Sequence, residues 1–158
     1  MQKLIILNSR EIRKIKELLI EDFGYFPSGE FALLESENHR IFFVNRDIAK
    51  IELENLRIDK VGLYFGELRE TQFRLSKEGA QFLAHCAKQD KKKLINYVEL
   101  TKEEVKKYFL GVDLERDLGP KSNLIILHHD DLILGCAQYK ERKILNFLPK
   151  TNRGEVIV

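Results

Sequence analysis

The sequence predicts an α+β fold: an N-terminal α/β unit over residues 1–90, then a second unit of strands around one main helix over 94–158. Three observations predict it. Apolar residues recur at helical spacing in a few segments, each opened by a capping residue. Short apolar runs bounded by turn residues fill the space between those segments. Near the middle, Lys88-Gln89-Asp90-Lys91-Lys92-Lys93 breaks the pattern and reads as a polar surface linker.

Each element has its own warrant. Leu4 to Leu7 is a short apolar run. Asn8 then caps a helix in which Glu11 can complete a capping box, and Ile12, Ile15, Leu18, Leu19 and Phe23 form the buried stripe. Gly24 supplies the stop. Arg10, Arg13, Lys14 and Lys16, with Glu17 and Glu21 as partial partners, read as its solvated face. Phe31-Ala32-Leu33-Leu34 and Arg40-Ile41-Phe42-Phe43-Val44 flank the turn Ser36-Glu37-Asn38-His39 and predict a hairpin. Ile48, Ile51, Leu53, Leu56 and Ile58 predict a helical turn followed by an edge strand, and Val61 to Leu68 a buried strand. Phe73-Arg74-Leu75 leads into a helix capped by Ser76 and carrying Ala80, Leu83, Ala84 and Ala87.

Beyond the linker, Ile95 to Leu100 predicts a strand. Thr101 with Glu104 forms a capping box, and Leu100 with Val105 a hydrophobic staple. Val105, Tyr108 and Phe109 face a core, and Gly111 ends the helix. Asp113 to Gly119 is a loop. Pro120 restarts an extended path into Asn123-Leu124-Ile125-Ile126-Leu127, joined by the turn His128-His129-Asp130-Asp131 to Leu132-Ile133-Leu134. Val156-Ile157-Val158 predicts a closing strand.

Composition narrows the function classes. Forty-four per cent hydrophobic residues supply a packed core and 33% charged residues a heavily solvated surface. The net charge of +2 does not announce a nucleic-acid partner, so any such signal is local. The apolar runs are too short to cross a bilayer, and Asn8, Ser9, Arg10 and Glu11 interrupt any signal-peptide core. No membrane partner and a cytoplasmic location are expected. Cys86 and Cys136, each in small apolar company, read as buried hydrophobes rather than a disulfide, metal ligands or reactive thiols.

Signs of catalysis are sparse. The sequence lacks a glycine-rich phosphate loop, zinc-ligand spacing and a nucleophile elbow. His128, His129, Asp130 and Asp131 are adjacent in a turn and point in different directions, while His39 and His85 stand alone. Glu103 and Glu104 complement a helix start, and Glu115 and Asp117 lie in a loop. The expectation is a chain with no cofactor, no metal and no catalytic residue.

The stronger signal is a basic hairpin. Leu132 to Tyr139, the tip Lys140-Glu141-Arg142-Lys143 and Ile144 to Lys150 place cations at the end of two strands. Lys140, Arg142, Lys143, Lys150 and Arg153 are opposed within this stretch by Glu141 alone. Strand alternation puts Lys140 and Arg142 on one face, with Lys143 flanking the turn. Five phosphate contacts give a log–log salt slope of roughly −3.5 to −4.5. Tyr139 and Phe147 bracket the cluster as candidate base-stacking or core residues. Arg116 and Lys121 are second-rank candidates on a neighbouring loop.

Taken in order, Tyr108-Phe109-Leu110-Gly111-Val112-Asp113-Leu114, Leu134-Gly135-Cys136-Ala137 and the element Asn146, Pro149, Lys150 resemble the PUA-like RNA-binding domain at the C-terminus of the Sun/Fmu ribosomal RNA cytosine methyltransferases. The resemblance covers 94–158 and implies a PUA-like mixed β-barrel in which Gly111 and Gly135 serve the fold. It implies Asn146, Lys150 and Arg153 as RNA-binding residues. Residues 1–90 are similar to the domain that precedes PUA in those enzymes, and to the two-domain plan of a class of ribosome-biogenesis factors. Those enzymes use cysteines beside proline, and neither Cys86 nor Cys136 has such a neighbour.

The implied function is non-catalytic binding of structured RNA, ribosomal before transfer RNA, in ribosome biogenesis or RNA modification. A methyltransferase or a ribosomal protein is the implied protein partner. Two alternatives stand beside it. A protein-interaction module would expose an apolar patch around Phe42, Tyr64 and Phe65. A small enzyme would gather His85, His128 and His129 in a pocket between the units.

Overall fold

In the computed structural model, residues 3–47 and 62–158 are described. The fold is α+β, with two five-stranded sheets. The first sheet is an antiparallel meander whose strands pair in chain order: β1 (Leu4–Ile6), β2 (Phe31–Ser36), β3 (Arg40–Asn45), β4 (Leu63–Leu68) and β5 (Phe73–Leu75). Helix α1 (Ser9–Phe23) follows β1, and α2 (Lys77–Gln89) follows β5. The helical turn and edge strand expected from Ile48 to Ile58 lie outside the described residues, as does Val61.

Local chemistry fixes the helix ends. Asn8 Oδ1 accepts from the Glu11 amide at 3.0 Å while Glu11 Oε2 accepts from the Asn8 amide at 2.8 Å, the reciprocal capping box. Gly24, at φ 75°, ends α1 with its amide on the Ile20 carbonyl at 2.8 Å. Ser76 caps α2 by accepting from the Gly79 amide at 2.8 Å. Ile15, Leu19 and Phe23 are fully buried on one stripe of α1, each contributing about 1.5–3 kcal/mol of transfer free energy.

The second sheet has the order β6-β8-β9-β10-β7. Its strands are β6 (Tyr97–Glu99), β7 (Leu114–Glu115), β8 (Asn123–His129), β9 (Leu132–Lys140) and β10 (Lys143–Leu145), with α3 (Lys102–Phe109) between β6 and β7. β6 runs parallel to β8 and the remaining pairs are antiparallel, so the sheet is mixed. The β8–β9 register shifts beside Leu127, where Gly135 at φ 148° takes up the irregularity. Residues 156–158 form no strand, contrary to expectation. Val156 packs on the C-terminal core, but Ile157 is fully exposed and an apolar sequence alone does not create a ladder partner. Conversely, β7 arises where a loop was expected, because Leu114 is buried opposite Ile144.

Alternation along β8 divides its side chains between two cores. Ile125 and Leu127 pack with Leu100, Val105, Tyr108, Leu114, Tyr139 and Ile144 under α3. Leu124 and Ile126, with Cys136 of β9, join the core formed by α1, α2 and the first sheet. The second sheet is therefore covered on its opposite face by the N-terminal helices. Polar contacts reinforce the seam: Asn96 Nδ2 donates to the Asp22 carbonyl at 2.5 Å, and Asn123 Nδ2 donates to Asn96 Oδ1 at 2.9 Å.

Candidate nucleic-acid interface

The β9–β10 hairpin closes with a two-residue loop, Glu141-Arg142, between the paired residues Lys140 and Lys143. Both loop residues have positive φ, 52° and 61°, the conformation of a type I′ turn. This turn changes which cations share a face. Lys140 and Lys143 stand directly opposite one another and are exposed. Arg142 instead turns toward Asp117, with Nε 3.9 Å from Oδ2. The alternation that would align it with Lys140 stops at the left-handed loop.

The tip is less one-sided than the sequence implies. β7 brings Glu115 opposite Lys143. A shallow depression is lined by Glu115, Arg116, Asp117, Glu141, Arg142 and Lys143, acids and bases in equal number. Lys150 is exposed in a single 3-10 turn, Lys150–Asn152, and Lys121 is exposed before β8. Lys140, Lys143 and Lys150 make no ion pair among the described residues, leaving them available to phosphate.

The remaining sequence candidates are held by the fold. Arg116 Nη1 donates to the Glu99 carbonyl at 2.7 Å, and its Nη2 lies 3.1 Å from Glu104 Oε1. The guanidinium thus ties the loop after β7 to the start of α3. Asn146 Nδ2 donates to the carbonyls of Tyr108 at 2.7 Å and Val112 at 3.1 Å, while Oδ1 accepts from the Leu148 amide at 2.8 Å. Its own amide donates to Asp113 Oδ1 at 2.8 Å. Asn146 therefore braces the C-terminal end of α3, adding a side-chain donor to the Tyr108 carbonyl that already accepts from the Gly111 amide at 3.0 Å. Arg153 Nε donates to the Leu148 carbonyl at 3.1 Å, and its stem passes so close to Gly111 that a Cβ there would lie 2.5 Å from Arg153 Cδ. With φ at 83°, Gly111 serves both the helix exit and this crossing.

The two aromatic candidates separate. Tyr139 is core: its hydroxyl donates to the Gly119 carbonyl at 2.7 Å and accepts from the Leu118 amide at 2.9 Å. Phe147 is half-buried, and the Arg74 guanidinium carbon lies 4.0 Å from its ring centroid. Nothing near Arg74 in sequence signals that contact.

The features tied to the alternatives do not assemble. Phe65 is fully buried, and half-buried Phe42 and Tyr64 pack together with centroids 5.7 Å apart. His128 stacks on Tyr97 at 3.9 Å, His129 Nδ1 contacts the Leu100 carbonyl at 2.7 Å, and His85 is exposed on α2. Among the described residues, no three His, Cys, Asp or Glu side chains converge as a metal site, and no helix is long and apolar enough to cross a membrane. Burial pushes the Cys136 thiol up to about 12 and raises that of Cys86.

Compared with protein families, residues 95–153 match the one described as the methyltransferase RsmF PUA domain. No curated protein matches the chain. The match begins at the residue before Asn96, whose side chain joins the two halves of the fold, and ends at Arg153, whose side chain crosses Gly111. Residues 95–153 are a PUA-like domain, and that domain resembles the C-terminal region of the Sun/Fmu methyltransferases.

Proposed function

We propose that the protein binds structured RNA, ribosomal RNA foremost, through its PUA-like domain, and does so without chemistry of its own, in ribosome biogenesis or RNA modification. The family match over 95–153 carries the reading, since a PUA domain suggests an RNA partner. The exposed, ion-pair-free side chains of Lys140, Lys143 and Lys150, with largely exposed Arg142, supply the phosphate contacts. Cys136 supports the non-catalytic part: a thiol protonated up to about pH 12 is a poor nucleophile.

Because Arg116 and Arg153 are engaged within the fold, four hairpin cations remain. Four contacts give a log–log salt slope of about −3, so a fourfold rise in salt weakens binding about 60-fold. Titrating a ribosomal RNA helix bearing a single-stranded end at 50 and 200 mM salt measures this. Lys140→Glu with Lys143→Glu is expected to weaken binding at least tenfold with an unchanged melting temperature, because exposed charges contribute little to stability. Absence of binding at low salt refutes the reading, and full affinity in the double variant removes the hairpin from it. Labelled S-adenosylmethionine with the same RNA is expected to yield no methyl transfer; transfer abolished by Cys136→Ser or Cys86→Ser would establish an enzyme.

A further inference from the structure

Arg74 is a second cation that the hairpin reading does not use. It sits on β5 directly opposite Glu67 of β4. Cross-strand opposite charges ordinarily pair. Here Glu67 instead accepts from Arg69, with Oε1 3.3 Å from Nη2. Arg74 turns away to lie over Phe147 of the PUA-like domain, its guanidinium carbon 4.0 Å from the ring centroid. Its Nε is buried and has no hydrogen-bond partner, and among the described residues no carboxylate pairs with it. Partial burial, first, and the neighbouring Arg69 act against its charge, while Glu67 favours it without reaching ion-pair distance. Arginine does not deprotonate in proteins, so such a guanidinium retains unmet demand for an anion.

The surroundings suit a nucleic-acid strand. Gln72, the residue before β5, donates through Nε2 to Gln138 Oε1 at 3.1 Å and spans the seam between the sheets. Gln138 and Lys140 share one face of β9, and Lys143 stands opposite Lys140. The Gln72–Gln138 bond thus links the strand that carries Lys140 to the segment that leads into Arg74. Among the described residues, the cations over aromatic rings are Arg40 over Tyr64 and Arg74 over Phe147, and of these two Arg74 faces a ring of the PUA-like domain.

We propose that Arg74, held over Phe147 at the seam of the two sheets, binds a backbone phosphate of single-stranded RNA that continues from Lys140 and Lys143 across Gln138. The inference rests on the RNA-binding reading above and adds a site in the N-terminal unit. It makes that unit part of the RNA surface, since β5 supplies the guanidinium and the C-terminal domain supplies the ring that aims it.

The test uses the full chain and two probes, the ribosomal RNA helix with its single-stranded end and a short oligouridylate. Arg74→Gln keeps much of the stem and removes the charge. It is expected to weaken both probes about tenfold and to make the salt slope shallower by about 0.7–0.9, the loss of one phosphate contact. Unchanged affinity and slope in a folded Arg74→Gln protein, with Lys140→Glu and Lys143→Glu still deleterious, overturns this inference alone. If the wild type binds neither probe, both readings fall. Should Arg74→Gln not fold, photocrosslinking the wild type to 4-thiouridine-substituted oligouridylate decides. Crosslinks to the peptide carrying Gln72 or Phe147 are expected, and crosslinks confined to residues 140–143 overturn the assignment.

Discussion

Replacing Asn146 by alanine separates a residue that reads RNA from one that holds the fold. The substitution removes the side-chain bonds to the Tyr108 carbonyl, the Val112 carbonyl and the Leu148 amide. A hydrogen bond in a protein contributes about 0.5–1.5 kcal/mol net, and an orphaned partner that water cannot reach costs more. The Tyr108 carbonyl keeps the Gly111 amide at 3.0 Å, so the substitution removes three ordinary bonds without fully orphaning that acceptor. The sum is about 2–3 kcal/mol. Urea unfolding followed by circular dichroism is expected to show that loss as a lower midpoint with an unchanged slope. At a temperature where the variant remains folded, its RNA affinity is expected to stay within about twofold of wild type. Asn146→Asp sharpens the test: it keeps the acceptor for Leu148 but turns a carboxylate toward the two carbonyls, and is expected to destabilise at least as much. An unmoved urea midpoint together with a tenfold loss of RNA binding would refute the clamp and return Asn146 to the interface that the family resemblance implies for it.

Other consequences can be measured separately. Exchanging Glu141-Arg142 for Asn-Gly places residues that favour positive φ at both loop positions, and is expected to raise stability by about 1 kcal/mol while RNA affinity falls with the loss of Arg142; a destabilised protein contradicts the turn assignment. Asp22 has its carboxyl raised from 3.8 to about 6, first by burial and then by Glu21, with Lys121 opposing. Because the folded chain holds that proton more tightly than the unfolded one, this group adds stability as pH falls through 6, and the gain is complete below about 4. Asp22→Asn is therefore expected to stabilise by about 1 kcal/mol at pH 7.5, after allowance for half exposure, and by much less at pH 4. Equal differences at the two pH values exclude the linkage.

The sequence was most informative where the interactions are local. Asn8 with Glu11 and Thr101 with Glu104 announce their helix starts because each pair closes across three residues, and both capping boxes are present. The division of β8 between two cores was less legible. Leu124 to Leu127 is a continuous apolar run, which indicates burial on both faces without saying what lies on either. Asn146 shows the limit more sharply. Its partners Tyr108 and Val112 are 38 and 34 residues away, so an amide that braces a helix end looks the same in sequence as one that reads a base. Arg74 carried no signal at all, since the Phe147 ring that gives it meaning comes from the other sheet.

Charge at the hairpin tip follows the same logic, and it decides how much weight the tip can bear. Counted along the chain, the cations from Lys140 to Arg153 meet one acid, Glu141. Counted in space, β7 adds Glu115 opposite Lys143, and the loop after it adds Asp117 beside Arg142. Opposing charges within a Debye length of about 10 Å at moderate salt reduce the field that a phosphate meets. A tip so balanced is weak as an isolated electrostatic patch. Affinity from this surface then depends on contacts that continue beyond the hairpin. The Arg74 guanidinium, placed over Phe147 where the two sheets meet, offers a cation beyond the tip, and under the proposal above it adds to the salt dependence of binding.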